Sequence, residues 1–326
     1  MAFTSIDNPE LYFQCKLWTG NDGSNALTLD GSENMSPDLV WLACRTRNDN
    51  KRLQDSVRGA GKMSPSNGTG AEESLSEFVS FDADGFTLNT SDAGYNSSSH
   101  TYVAWCWVEG ATPGFDIVTF TGNQTARTIS HSLSAKPEWL WIKNREKVES
   151  WHMQHGALGA TNTQESNTNN AFGGGSTIWN DTEPTTSVFS VGNNGNINET
   201  DSDILVYLWA GKQGFSSFHK YIGNGDDDGK FIFTGFKPAF VLQKCSSHAG
   251  SWHIHDNKRS INGTDIYTYL DTNEAEVSTT RMDFLSNGFK LRSSHDVWNG
   301  SGRTNVYMAF AESPLVNSKG VPNNAK

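Results

Sequence analysis

The stretch SWHMQH occupies residues 150–155, and a near copy, SWHIHD, occupies residues 251–256. The two stretches start 101 residues apart. Paired histidine clusters are one way to build a metal site. Near copies at a fixed spacing also indicate an internal repeat, and a repeat decides the fold of the whole chain. The sequence on either side distinguishes these two interpretations.

Other landmarks recur at the same spacing and in the same order. They are TGN, TGN and IGN starting at residues 19, 121 and 222; PDLVW, PEWLW and PAFVL starting at 37, 137 and 238; and YVAWCW, LVYLW and VYMAF ending at 107, 209 and 310. The spacing predicts module 1 (residues 15–110), module 2 (111–214) and module 3 (215–314). An N-terminal segment (1–14) precedes them, and an extended C-terminal tail (315–326) follows.

Short extended runs alternate with Gly, Asn and Asp turns in each module, as in VSFDADGFTL from residue 79 and MDFLSNGFKL from residue 282. Only AEESLSEFV, residues 71–79, suggests a short helix. Six to eight strands in about 100 residues are typical of an antiparallel sandwich. The sequence predicts an all-β chain of three tandem antiparallel β-sandwich modules, jelly-roll or concanavalin-like, from a repeat of about 101 residues.

The repeat gives the histidine stretches a third counterpart, KRLQD at residues 51–55. Alternate residues of a strand face opposite sides. One face then carries Leu53, Met153 and Ile254, and the other carries Arg52, His152 and His253, followed by Gln54, Gln154 and His255. Because Arg and Gln stand where a metal would need ligands, solvated strand histidines are favoured over a metal site.

An acid–base pair recurs just after these strands. Asp55 with Arg58 and Asp256 with Arg259 occupy matching positions, whereas module 2 has His155 and Leu158 there. The pattern predicts a local ion pair at the strand exit, worth about 0.5 kcal/mol if exposed.

The composition excludes several classes of protein. A net charge of −11, with a pI near 5.2, repels nucleic-acid backbones. The amino terminus lacks a secretion signal, and no window is apolar enough for a membrane span. The four widely separated cysteines, Cys15, Cys44, Cys106 and Cys245, fit buried free thiols and assembly in a reducing cytosol.

Aromatic residues in polar loops are the candidate ligand-binding residues. Counting back from the ends of the aromatic runs places Tyr95-Asn96, Ile197-Asn198 and Trp298-Asn299 at one loop position, and Trp179 follows a Gly-rich segment. Such rings can stack on a sugar or anchor a partner. The alternative is that each ring folds back to cap its own core.

Metal and enzyme signals are weak. The acidic run Asp226, Asp227 and Asp228 offers oxygen ligands for calcium, with Asp226 and Asp228 as the candidate ligands, but it lacks the downstream Glu of an EF-hand. The alternative is a solvated hairpin tip. The chain lacks a G-x-S-x-G elbow, a P-loop and a dinucleotide fingerprint, so we predict a non-enzymatic protein that needs no cofactor.

Several motifs together resemble a known family. The start DNPELYFQ, the TGN turns, DGF-x-L, the runs YVAWCW and VYMAFAE and the tail SPLVNSKGVPNNAK are similar to virion structural and tail-fibre proteins of tailed phages that infect marine bacteria and cyanobacteria. The resemblance covers nearly the whole chain, although module 2 lacks a clear DGF. Modules of such proteins are likened to concanavalin-type lectin sandwiches.

The resemblance implies a virion location, after assembly in the host cytoplasm, and two alternative roles. The first is a tail-fibre or appendage component whose loops attach to host-surface glycans. The second is an architectural adaptor or a capsid or tail decoration protein without receptor binding, whose terminal segments and sheet edges contact other virion proteins. Either role fits a homo-oligomer, for example a trimer.

Overall fold

The computed structural model of the chain describes residues 4–260 and 265–323. Module 1 contains nine strands: β1 Phe13–Thr19, β2 Ser24–Leu27, β3 Leu39–Cys44, β4 Arg52–Asp55, β5 Lys62–Pro65, β6 Glu73–Ser74, β7 Phe78–Asp82, β8 Gly85–Asn89 and β9 Thr101–Trp107. A 3-10 helix, Pro9–Leu11, precedes them. Strands β6 and β7 lie where a short helix was predicted, so that prediction was wrong. Phe78 is buried and Val79 exposed, which is the alternation of a strand.

Modules 2 and 3 have similar elements. Module 2 contains β10 Phe115–Thr121, β11 Arg127–Ser130, β12 Trp139–Asn144, β13 His152–His155, β14 Asn162–Glu165, β15 Gly173–Gly174, helix α1 Ser176–Trp179, β16 Val188–Val191, helix α2 Gly195–Asn198 and β17 Asp203–Trp209. Module 3 contains β18 Ser216–Ile222, β19 Phe231–Phe233, β20 Phe236–Cys245, β21 Trp252–Asp256, β22 Ile266–Tyr269, β23 Val277–Ser278, β24 Met282–Leu285, β25 Gly288–Leu291, helix α3 Asp296–Asn299 and β26 Thr304–Pro314.

Each module contains a large and a small antiparallel sheet. The large sheets have the orders β1-β9-β3-β4-β5-β6, β10-β17-β12-β13-β14-β15 and β18-β26-β20-β21-β22-β23, so their strands are arranged alike. The small sheets are β2-β8-β7, β11-β16 and β19-β25-β24. The predicted all-β, antiparallel β-sandwich fold class is confirmed. The four cysteines are buried and free, as predicted.

The central strands of the large sheets are buried on both faces. In β3, Val40, Leu42 and Cys44 belong to the interior of module 1, whereas Leu39 and Trp41 belong to a core that all three modules share. The same alternation holds in β9, β12 and β17. Burial on both faces explains why these runs read as nearly continuous apolar sequence.

Aromatic rings from all three modules meet in this shared core. Ring centroids are 5.3 Å apart for Trp41 and Trp141, 5.9 Å for Trp139 and Trp252, and 5.9 Å for Trp105 and Phe240. These pairs join module 1 to 2, module 2 to 3 and module 3 to 1, respectively. The three modules therefore close into a ring within one chain.

A buried polar contact repeats around the ring. Tyr207 Oη of module 2 donates to Asp55 of module 1 (2.7 Å), and Trp105 Nε1 of module 1 donates to Asp256 of module 3 (3.0 Å). At the third interface, His155 Nε2 lies 3.2 Å from the carbonyl oxygen of Tyr307. The last residues of β4, β13 and β21 thus connect each module to the next.

The predicted ion pairs form, but they are buried rather than exposed. Asp55 and Arg58, like Asp256 and Arg259, have fully buried side chains. Arg259 Nε donates to Asp256 (2.7 Å), and Arg259 Nη2 donates to the Ile254 carbonyl oxygen (3.2 Å). Removing one partner of a buried ion pair strongly destabilises the protein, because the other charge stays buried without compensation.

The N-terminal segment and the C-terminal tail contact each other at Asp7 and Ser318. Ile6 contributes to the shared core, and Ser318 donates to the carboxylate of Asp7. In the tail, Leu315 N donates to the Gly235 carbonyl oxygen and Asn323 N to that of Leu315. Residues 315–323 therefore turn back onto module 3 instead of extending away from it.

We expect Asp256→Ala to lower the free energy of unfolding by about 3–5 kcal/mol, because buried Arg259 would lose the carboxylate that accepts from its Nε and keep only Glu276, 3.5 Å from its Nη1. Urea denaturation followed by tryptophan fluorescence measures this loss. The double variant Asp256→His/Arg259→Leu copies the residues of module 2 and should recover much of the stability. Lys136→Ala, in a pair whose side chains are 47% and 45% exposed, is the control. Equal effects of Asp256→Ala and Lys136→Ala would contradict this account.

Candidate functional site

The five predicted ligand-binding residues lie inside the modules. Their exposed fractions are 2% or less: Tyr95, Asn96, Trp179, Trp298 and Asn299. A ring with so little accessible surface offers no platform on which an external sugar could stack. The placement matches the alternative in which each aromatic residue caps its own core.

The paired asparagines hold the TGN-type turns in place. Asn299 Nδ2 donates to Asn224 Oδ1 (2.6 Å) and to the Asp226 carbonyl oxygen (2.8 Å). Asn96 makes the matching bonds in module 1. A Cβ on Gly223 would lie 2.3 Å from the Gly300 carbonyl oxygen, so this approach requires glycine. The repeated Gly and Asn residues are thus explained by packing.

Trp179 ends helix α1 and belongs to the interior of module 2. Its indole Nε1 has no hydrogen-bond partner among residues 4–260 and 265–323. In module 1 the DGF motif forms the turn from β7 to β8. Module 2 has helix α1 in place of β7, so it has no such turn and no DGF motif.

Asp226 and Asp228 lie on an exposed loop between β18 and β19. Asp228 pairs with Lys290 and Arg292, each at 3.0 Å. In the part of the chain that the structure describes, no group of three or more His, Cys, Asp or Glu side chains could hold a metal ion. The acidic run is solvated, as in the alternative to a calcium site, but it is not a hairpin tip, because β18 and β19 lie in different sheets.

The strand histidines are buried, so the expectation of solvated side chains was wrong. Exposed fractions are 5% for His152, 1% for His155, 3% for His253 and 0% for His255. The face of β13 that carries His152 points into the interior of module 2, because His152 pairs across the sheet with the core residue Ile142.

Burial keeps two of these imidazoles neutral. It lowers the pKa of His155 to about 4 and that of His152 also to about 4, where Lys143 adds to the effect. In His155, Nδ1 accepts from Ala157 N (3.1 Å), which leaves Nε2 as the donor to module 3. Protonation of His155 would add a hydrogen to Nδ1, which could then no longer accept from Ala157 N.

A pocket of about 340 Å³ opens beside His152 in module 2. Its lining is mainly polar and includes Gln164, Glu165, Asn194 and Asn196. The sequence pattern did not identify it. The available signal was Ile197, the aliphatic residue that stands where modules 1 and 3 have Tyr95 and Trp298.

A second pocket, of about 370 Å³, lies between modules 2 and 3. Glu138, His219, Phe233 and Leu315 are among its lining residues. Phe233 is 60% exposed and its neighbour on β19, Phe231, is 42% exposed. These two rings form an apolar surface at the edge strand of a small sheet.

We expect acid to destabilise the protein through the buried histidines. The unfolded pKa is about 6.5, above the folded values, so the unfolded state binds protons first and stability falls as the pH drops from 6.5 towards 4. The loss at pH 5 is about 2 kcal/mol for each of His152 and His155. Urea denaturation at pH 7 and pH 5 measures it. His155→Gln should reduce the loss, whereas His219→Gln, at an exposed position, should not; equal pH dependence in both variants would refute the assignment.

Comparisons with known proteins place the chain in a family. Among the described residues, no helix has the length and apolar content needed to span a membrane. No curated protein matches the chain. One family model, described as "Domain of unknown function (DUF7483)", matches residues 8–314 and so covers all three modules as one unit. The chain therefore belongs to the DUF7483 family.

Proposed function

We propose that the protein is a virion structural protein of a tailed phage, an appendage component that contributes to attachment to the host surface. The observation that carries the proposal is the closed ring of three β-sandwich modules with a shared aromatic core. One chain thereby supplies a rigid block with threefold-like geometry. Such a block can sit at the end of, or within, an elongated appendage and present several surfaces at once.

The motifs that resemble tail-fibre proteins support this reading, because they are the parts that build the block. The runs YVAWCW and VYMAFAE are the central strands β9 and β26, and the TGN-type turns are fixed by buried asparagines. A sequence resemblance in these elements therefore implies the same architecture. The attachment role itself rests on the resemblance.

A purely architectural role is the second candidate, and a specific surface favours it. Phe231 and Phe233 are exposed beside the pocket between modules 2 and 3, next to the folded tail. Exposed aromatic residues at an edge strand suit contact with another protein. Under this alternative the partner is another virion protein.

Quantification of the chain in purified phage particles by mass spectrometry tests the virion location. We expect it in stoichiometric amounts, and its absence from particles would overturn both roles. The variant Phe231→Ser/Phe233→Ser distinguishes the roles, with Val148→Ser, at a residue 73% exposed, as control. An architectural role predicts a drop of tenfold or more, about 1.4 kcal/mol, in incorporation of the double variant alone. An attachment role predicts normal incorporation, and that purified wild-type protein competes with phage for adsorption to host cells.

A further inference from the structure

The pocket beside His152 is closed in the other two modules by aromatic rings. In module 1, the guanidinium of Arg52 lies 4.8 Å from the centre of the Tyr95 ring. In module 3, the rings of His253 and Trp298 lie 3.8 Å apart. Arg52, His152 and His253 are the matching strand residues, so the same place in the fold is covered by an aromatic side chain twice.

Module 2 has no such cover, because Ile197 occupies the aromatic position. Ile197 lies in the module's apolar core. The pocket of about 340 Å³ is lined instead by Gln164, Glu165, Thr168, Asn194 and Asn196, next to His152. Its size falls in the lower part of the range for small-molecule sites, roughly 300–1,000 Å³.

Buried polar atoms at this place lack partners. Both ring nitrogens of His152, which is 5% exposed, have no hydrogen bond within residues 4–260 and 265–323. Gln154 Nε2, on the same strand but outside the lining of the pocket, also lacks a partner among these residues. In module 1 the equivalent Gln54 Nε2 donates to the Tyr95 hydroxyl (2.7 Å). Buried polar groups without partners cost free energy, so a hydroxyl at this place would be stabilising.

The chemistry of the lining indicates the ligand. Neutral imidazole has one donor and one acceptor, and the amide of Asn196 also offers both, whereas Gln164 Nε2 and the Asn194 amide already bond within the chain. A ligand rich in hydroxyl groups matches this mixture, whereas the carboxylate of Glu165 and the net charge of −11 disfavour anions. We propose that the pocket formed by His152, Gln164, Glu165, Thr168, Asn194 and Asn196 binds a neutral carbohydrate unit. This reading of the ligand rests on the proposed attachment function.

The variant Ile197→Tyr tests the site by copying module 1. The new ring should cover His152, its hydroxyl should accept from Gln154, and the fold should be retained because Tyr95 is accommodated in the same way. Binding is measured by saturation-transfer NMR with methyl glycosides of glucose, galactose, mannose and N-acetylglucosamine. We expect transfer to at least one of these sugars from the wild-type protein and none from Ile197→Tyr.

A second variant guards against misfolding of the first. Asn196→Ala removes one lining amide and should weaken affinity about fivefold, which corresponds to one hydrogen bond. Asn34→Ala, at an exposed position in module 1, should bind as the wild type does.

Two results would overturn the assignment: no transfer to any sugar from the wild-type protein, which would leave water as the occupant, or unchanged transfer from a folded Ile197→Tyr. If either result were obtained while the chain was present in phage particles and competed with phage for adsorption, only the assignment of this pocket would be rejected. The proposed function would stand.

Discussion

The burial of both faces of each large sheet is the constraint on which the rest of the structure depends. One face is covered by the small sheet of the same module, and the other carries residues such as Trp41, Trp141 and Phe240. An isolated module would expose that second face to water. Each module can cover it only by packing against the others, so the ring closes within the chain.

Three polar side chains at the ring interfaces are tolerated because each finds a partner in the next module. Asp55, His155 and Asp256 occupy one strand position, yet they are satisfied by Tyr207, a backbone carbonyl and Trp105, respectively. A buried carboxylate needs Arg58 or Arg259 beside it, whereas neutral His155 does not. This explains why module 2 has Leu158 where the others have arginine.

Much of the fold was predictable, because turn residues and apolar periodicity act locally. The spacing of TGN, PDLVW and YVAWCW indicated three modules, and the short extended runs between turns indicated antiparallel sandwiches. Leu53, Met153 and Ile254 were correctly grouped on one apolar face. The ring was not predictable, because no local pattern shows that the strand face with Arg52, His152 and His253 lies inside a module. The opposite, apolar face is then left to pack against the other modules. For the same reason His152 and His253 were expected in solvent, and Tyr95 and Trp298 were candidates for an exposed site. The pocket in module 2 depends on what Ile197 fails to cover, which only a three-dimensional comparison of modules reveals.

Differential scanning calorimetry tests the central claim that the three modules form one cooperative unit. We expect a single transition whose calorimetric and van't Hoff enthalpies agree, with a total near 0.7 kcal/mol per residue, or roughly 230 kcal/mol for the chain. Separate transitions, each with about a third of that enthalpy, would show that the modules fold independently and would contradict the account.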